Sequence, residues 1–285
     1  MLRLVKMSKK KTKAIVELKR RDFLTMAGAA IGSVLLAQVF TTGPLSPFST
    51  LKQKQVESET ETTGGHGGAT GLYHWGMVID LDKCIGCEYC LRACSATNDV
   101  NPDRPWNIVV EEKNTTGHTF FFSRPCLHCQ VAPCVEVCPV RATYVRDDGL
   151  VVMDYDRCIG CRYCEVACPY DARKFNWEAR ADTNPYVPTW GVPEVERRPR
   201  GVIEKCTFCV QRIDTGLERG LMPGEDPEAT PACVIACPVG ARTFGNLKNP
   251  NSSVSKVLEN NAVIRLREEL GTEPSVYYIP PKEGL

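Results

Sequence analysis

Hydrophobic and polar positions divide the chain into successive stretches. A basic start (Lys9, Lys10, Lys11, Lys13, Lys19, Arg20, Arg21) runs into an apolar segment from Phe23 to Phe40. Residues 41–72 are then dominated by Pro, Gly, Ser, Thr and Glu, with a Gly64-Gly65-His66-Gly67-Gly68 hinge, and predict a flexible linker. His66 within it reads as a solvent-exposed side chain. From Trp75 to about Leu247 the composition is core-like. Inside that stretch Thr143-Tyr144-Val145-Arg146 and Leu150-Val151-Val152-Met153 flank Asp147-Asp148-Gly149, which predicts a β-hairpin. Over residues 254–269 the apolar positions Val254, Val257, Leu258, Ala262 and Leu266 recur at helical spacing and predict a helix docked on the core or on a partner.

Length and charge narrow the class. The chain has 285 residues, 43% of them hydrophobic, enough for one large or two small domains. Its 35 basic and 34 acidic residues leave a net charge of +1, and no basic run is interleaved with aromatics, so nucleic acid is not expected as a partner. The join Arg20-Arg21-Asp22-Phe23-Leu24 resembles a twin-arginine export signal, which implies delivery to the periplasmic, extracytoplasmic face of the cytoplasmic membrane. A chance arginine pair ahead of a membrane anchor is the alternative. The apolar segment is 18 residues long, near the lower limit for crossing a bilayer, so an uncleaved signal could tether the protein.

Cysteine changes the picture most. All 16 lie between Cys84 and Cys237, in four groups of four. Group one (Cys84, Cys87, Cys90, Cys94) and group three (Cys158, Cys161, Cys164, Cys168) have two, two and three residues between successive cysteines. That is the bacterial ferredoxin run, whose first three thiolates hold one [4Fe–4S] cluster while the fourth ligates another. Group two (Cys126, Cys129, Cys134, Cys138) has a longer middle spacing, and group four (Cys206, Cys209, Cys233, Cys237) carries 23 residues between its halves. Groups two, three and four end in Cys-Pro (Pro139, Pro169, Pro238); group one has Ser95 there, expected to change local structure without loss of a cluster. The run from Asp80 to Cys90 repeats from Asp154 to Cys164, which suggests an old duplication.

The hairpin between groups two and three follows the plan of a two-cluster ferredoxin. Those groups are expected to share a module and exchange their fourth cysteines, leaving groups one and four to pair across the chain. Pairing of adjacent groups, one with two and three with four, is the alternative. The expected fold is α+β: two ferredoxin-like modules with short β-hairpins, short helices and loop insertions. The corresponding division is 1–40 signal or anchor, 41–72 linker, 73–125 with 200–248 as module A, 126–199 as module B, and 249–285 as a C-terminal docking tail. Structural zinc wants two Cys-x-x-Cys pairs closing one tetrahedron, which four such groups suit poorly. A disulfide scaffold is the other alternative, usually met in smaller chains. No Cys-x-x-Cys is followed by His, as a c-type haem requires, and His128 reads as a packing or hydrogen-bonding residue. Basic residues beside the groups (Lys83, Arg92, Arg124, Arg141, Arg157, Arg162, Lys205, Arg212) could raise cluster potentials.

With these motifs, including Lys205-Cys206-Thr207-Phe208-Cys209, the chain resembles the four-cluster iron–sulfur subunits of the dimethyl-sulfoxide-reductase superfamily. It is also similar to iron–sulfur subunits of periplasmic nickel–iron hydrogenases. The resemblance runs from about Trp75 to Leu247 and implies four [4Fe–4S] clusters, each held by three cysteines of one group and one of its module partner. The implied sets are Cys84, Cys87, Cys90 with Cys237; Cys206, Cys209, Cys233 with Cys94; Cys126, Cys129, Cys134 with Cys168; and Cys158, Cys161, Cys164 with Cys138. It further implies an electron wire, without a catalytic centre of its own, between a molybdopterin (Mo/W) catalytic subunit at the first set and a membrane quinone-binding subunit at the last. A hydrogenase wire and a zinc- or disulfide-stabilised secreted binding protein are the rival readings.

Overall fold

The computed structural model describes residues 69–282. Strand β1 (Trp75–Asp80) is buried along its whole length, because it lies between two neighbours in a three-stranded sheet. On one side β8 (Arg242–Asn246) runs antiparallel, with Trp75 opposite Asn246 and Ile79 opposite Arg242. On the other, β9 (Val276–Ile279) runs parallel, with Met77 opposite Val276. Tyr73, Trp75, Phe244 and Phe208 form a chain of ring contacts across this sheet, with centroids 4.9, 5.8 and 5.3 Å apart in turn.

Three two-stranded ribbons make up the other strands. Strands β2 (Ile108–Lys113) and β3 (Thr119–Arg124) form a hairpin whose turn is closed by Asn114, its Oδ1 accepting the Thr116 and His118 amides at 3.0 and 2.8 Å. Strands β4 (Thr143–Val145) and β5 (Val151–Met153) pair antiparallel across Asp147-Asp148-Gly149, so the hairpin forms where alternation and turn chemistry place it. Strands β6 (Lys174–Phe175) and β7 (Ile203–Glu204) join segments that are far apart in sequence.

The helices are short: α1 (Tyr89–Thr97), α2 (Pro133–Glu136), α3 (Tyr163–Ala167), α4 (Val210–Glu218), α5 (Ala232–Ile235) and α6 (Ser253–Asn260). Short helices with short hairpins match the α+β class expected from the sequence. The helix expected over 254–269 stops at Asn260, capped at its start by Ser252 Oγ, which accepts the Ser255 amide at 3.2 Å. Beyond it Ile264 forms a β-bridge with Tyr278, a tertiary pairing that overrides the local helical spacing. The segment expected as a docking tail supplies β9, one of the two edge strands of the central sheet. Arg20, Arg21 and the linker hinge lie outside the described residues.

A proline after the last cysteine, or its absence, decides where the helices of groups three and one end. In α3 the helix stops at Ala167; Cys168 is extended (ψ 111°), as the residue before Pro169 must be. Ser95 imposes no such stop, and α1 continues past Cys94 to Thr97. The 176–200 loop grips that extra turn. Asn184 Nδ2 donates to the Ser95 carbonyl at 2.9 Å, Arg197 pairs with Asp99 at 2.7 Å, and Arg198 Nη1 donates to the Asn98 carbonyl at 2.6 Å.

Candidate metal centres

All sixteen cysteines are free thiols, and none is bridged to another. Two loop types carry them. In groups one and three the second residue after the first cysteine is glycine, with φ of +71° at Gly86 and +66° at Gly160. The residues before the helices, Glu88 and Arg162, are also left-handed at 62° and 63°. Two left-handed residues within four wrap the loop tightly around its own sulfurs. A Cβ on Gly160 would sit 2.0 Å from the Gly201 carbonyl oxygen, so only glycine fits there. In groups two and four the corresponding residues are His128 and Phe208, again at positive φ (44° and 55°).

Three cavities are lined by four sulfurs each. Cys84, Cys87, Cys90 and Cys237 line one, with Ile79, Val109 and Arg242 in its wall. Cys126, Cys129, Cys134 and Cys168 line a second, with Tyr170 and Arg173. Cys138, Cys158, Cys161 and Cys164 line a third. Cys94, Cys206, Cys209 and Cys233 are all buried, and burial followed by the other three sulfurs pushes the Cys94 thiol well up from its usual value. Burial, with Arg242 opposing it, likewise pushes Cys233 up to about 12. Thiols held this protonated must release protons to bind metal.

The donor sets fit a polynuclear group better than a single ion. Among the described residues, no three His, Cys, Asp or Glu side chains converge closely enough to hold one metal ion. Four soft sulfurs around a cavity suit an iron–sulfur cube. Hydrogen-bond donors reach the sulfurs as well. Arg173 Nη2 lies 2.9 Å from Cys134 Sγ, Arg242 Nη1 lies 3.4 Å from Cys233 Sγ, and Asn98 Nδ2 lies 3.4 Å from Cys209 Sγ. Burial pushes each arginine's pKa down, the thiolates push it up, and the net is upward, so both stay cationic.

These three donors are what sequence reading missed. The signal was present for two of them: Ala172-Arg173-Lys174-Phe175 and Ala241-Arg242-Thr243-Phe244 stand at the same distance after Cys168-Pro169 and Cys237-Pro238. Asn98 is the C-cap of the extra turn that Ser95 permits. Of the basic residues singled out from sequence, Lys205 is fully buried and donates to the Val151 and Cys206 carbonyls. Arg162 instead sits 4.6 Å over the Trp177 ring, and Arg92 5.6 Å over Trp190. His128 Nδ1 accepts the Val151 amide at 3.1 Å and lines none of the three cavities, a packing and hydrogen-bonding role.

Exposure differs among the four sets. The set of Cys94, Cys206, Cys209 and Cys233 is buried throughout, whereas Cys161 is exposed. Beside Cys161 the apolar side chains of Ile159, Tyr163 and Val166 also face solvent, Val166 with 87% of its surface open. Around the Cys84 set, Ile85, Ile235 and Val239 are likewise exposed.

Comparison with known proteins agrees with this chemistry. Two family models, both described as 4Fe-4S dicluster domains, match residues 83–142 with 157–241 and residues 117–184. The chain is 43% identical over 224 residues to a protein of Halobacterium salinarum named as a dimethyl sulfoxide reductase iron-sulfur subunit, covering 73% of this sequence and 79% of that one. It is 41% identical over 238 residues to the menaquinone reductase iron-sulfur cluster-binding subunit of Nitratidesulfovibrio vulgaris (73% and 89% covered). With a polysulfide reductase chain of Wolinella succinogenes the identity is 37% over 216 residues (74% and 96% covered).

Proposed function

The protein belongs to the iron–sulfur subunits of the dimethyl-sulfoxide-reductase superfamily, and from that premise we propose how its residues make an electron wire. It is an electron-transfer subunit without a catalytic centre of its own. Four [4Fe–4S] clusters supply the one-electron chemistry. Cys84, Cys87, Cys90 and Cys237 hold the cluster nearest the catalytic molybdopterin subunit. Cys206, Cys209, Cys233 and Cys94 hold the second, and Cys126, Cys129, Cys134 and Cys168 the third. Cys158, Cys161, Cys164 and Cys138 hold the fourth, nearest a membrane quinone-interacting subunit. The two modules, 73–125 with 200–248 and 126–199, descend from one duplicated ferredoxin unit.

The observation that carries this reading is the gradient of exposure. The outer sets open beside exposed apolar residues (Ile85, Ile235 and Val239 at one, Ile159, Tyr163 and Val166 at the other), as sites that exchange electrons with partners require. The Cys94 set is enclosed, as a relay inside a wire should be, where buried walls exclude water. The Arg20-Arg21 pair would export the subunit folded, with its clusters in place, to the periplasmic face.

Native purification of the complex from membranes, with iron, acid-labile sulfide, molybdenum, tungsten, nickel and zinc quantified together, tests the reading. About 16 iron atoms per chain, alongside molybdenum or tungsten, are expected. Nickel in their place would make this protein the wire of a hydrogenase, and zinc without iron would overturn the clusters themselves.

A further inference from the structure

Arg173 and Arg242 occupy corresponding places in two separate sites. Each lies five residues after the cysteine of a Cys-Pro pair and is almost fully buried. Each guanidinium is also held by the same three kinds of group. Arg173 donates to Cys134 Sγ at 2.9 Å, to Thr143 Oγ1 at 3.0 Å and to Met153 Sδ at 2.9 Å. Arg242 donates to Cys233 Sγ at 3.4 Å, to Ser123 Oγ at 2.5 Å and to Met77 Sδ at 3.6 Å, and its other partner is Asn107 Oδ1 at 2.8 Å.

Each arginine also faces two sets of sulfurs. Arg173 lines the Cys126 cavity, and two of its partners, Thr143 and Met153, line the neighbouring Cys158 cavity. Arg242 lines the Cys84 cavity while bonding Cys233 of the buried set, and Ser123, which accepts from Arg242, lies 3.8 Å from Cys90 Sγ. A guanidinium suits such a position because its planar fork presents five donors in several directions and never loses its proton.

Resting on the four-cluster reading above, we propose that Arg173 and Arg242 are shared cations, one inside each pair of sites, each raising the reduction potential of both neighbouring clusters at once. Reduction adds one negative charge to a set of thiolates that is already anionic. A fixed buried cation between two such sets favours that charge on either side, strongly because the surroundings are poor in water. They are positioning residues that set potentials and bind no iron. The four sites therefore form two electrostatic pairs, Cys126 with Cys158 and Cys84 with Cys206.

The test is a redox titration of the purified complex followed by electron paramagnetic resonance, with signals assigned by single-cysteine variants. Arg173→Gln is expected to lower the potentials of the Cys126 and Cys158 sets, each by about tenfold in the reduction equilibrium, which is about 59 mV for one electron. The Cys84 and Cys206 sets should hold. Arg242→Gln should give the mirror result. Arg173→Lys keeps the charge without the fork and should move both potentials by less than about threefold. If Arg173→Gln fails to load its clusters, Arg173→Lys and the Arg242 pair of variants decide the matter by the same criterion. Full iron with one potential moved, or none, or all four together, would overturn the shared-cation role. Iron and sulfide short of four cubanes in the unaltered protein would instead overturn the cluster reading beneath it.

Discussion

His128 and Phe208 lie face to face, ring centroids 3.9 Å apart and planes 24° from parallel. Each stands two residues after the first cysteine of its group, each at positive φ, so corresponding loops of groups two and four meet ring to ring. The stack is fully buried, and burial, with Lys205 and Arg173 nearby, holds the His128 imidazole well below its usual pKa. A neutral ring can stack and accept the Val151 amide at no charge cost.

Replacing His128 by leucine removes that acceptor and the ring contact. The loss is expected to be about 1–3 kcal/mol for the stranded amide, with about 0.5–1.5 kcal/mol more for the aromatic pair. Iron content should stay at four clusters, and the denaturant midpoint for bleaching of the visible absorbance should fall. A loss of one cluster's iron would make His128 a ligand.

Cys138 lines the cavity of the Cys158 set although it belongs to group two. Cys138→Ser should therefore perturb the paramagnetic signal of that set and leave the Cys84 set unchanged. Loss of the Cys84 signal with the Cys158 signal intact would reverse the proposed exchange of fourth cysteines.

Gly160→Ala brings a Cβ to 2.0 Å from the Gly201 backbone at a φ of +66°. The left-handed conformation alone costs about 1–2 kcal/mol, and the backbone clash adds to it. The Cys158–Cys164 loop should open, with about four iron atoms per chain lost by analysis. Gly117→Ala, a φ of +87° with open space around it, controls for the conformational part.

Replacement of Arg20 and Arg21 together by lysine is expected to retain the subunit inside the cytoplasm with its clusters loaded. Cell fractionation with iron analysis of each fraction checks this. Unchanged delivery to the membrane's outer face would remove the export reading.

His74 is half-buried beside Lys248, and burial first, then that cation, lowers its pKa from the usual 6.5, against a smaller opposing pull from Asp148. The folded form thus binds fewer protons than the unfolded chain. Its contribution is complete above pH 6.5 and is lost as pH falls from there through the folded value. Cluster bleaching in denaturant should accelerate more for the native protein than for His74→Gln when pH drops from about 7.5 to 5.5. Equal acceleration in both would assign the effect to other groups.

Much was legible along the chain because it is set by neighbours in sequence. Cysteine spacing determines what kind of group the loops can wrap, since three thiolates two residues apart reach one object whatever surrounds them. Gly86 and Gly160 mark the left-handed turns, the Asp-Gly turn marks the β4–β5 hairpin, and proline after cysteine marks where α3 must stop. The short helices and hairpins of an α+β fold follow from these local rules.

Contacts between distant segments had to wait for the tertiary structure. Spacing left two pairings of the cysteine groups open, because nothing local says whether Cys94 lies beside Cys209 or elsewhere. It did not single out Arg173 and Arg242, whose value depends on which sulfurs approach from other segments. Asn98 gained its place as a donor only because Ser95 lets α1 run one turn further and the 176–200 loop closes over it. The helix expected over 254–269 yields at Asn260, because Ile264 finds a strand partner in Tyr278 and burial there outweighs a weak local preference. Sequence determines what each loop can hold; packing decides which loops meet, because burial is shared among residues that only the fold brings together.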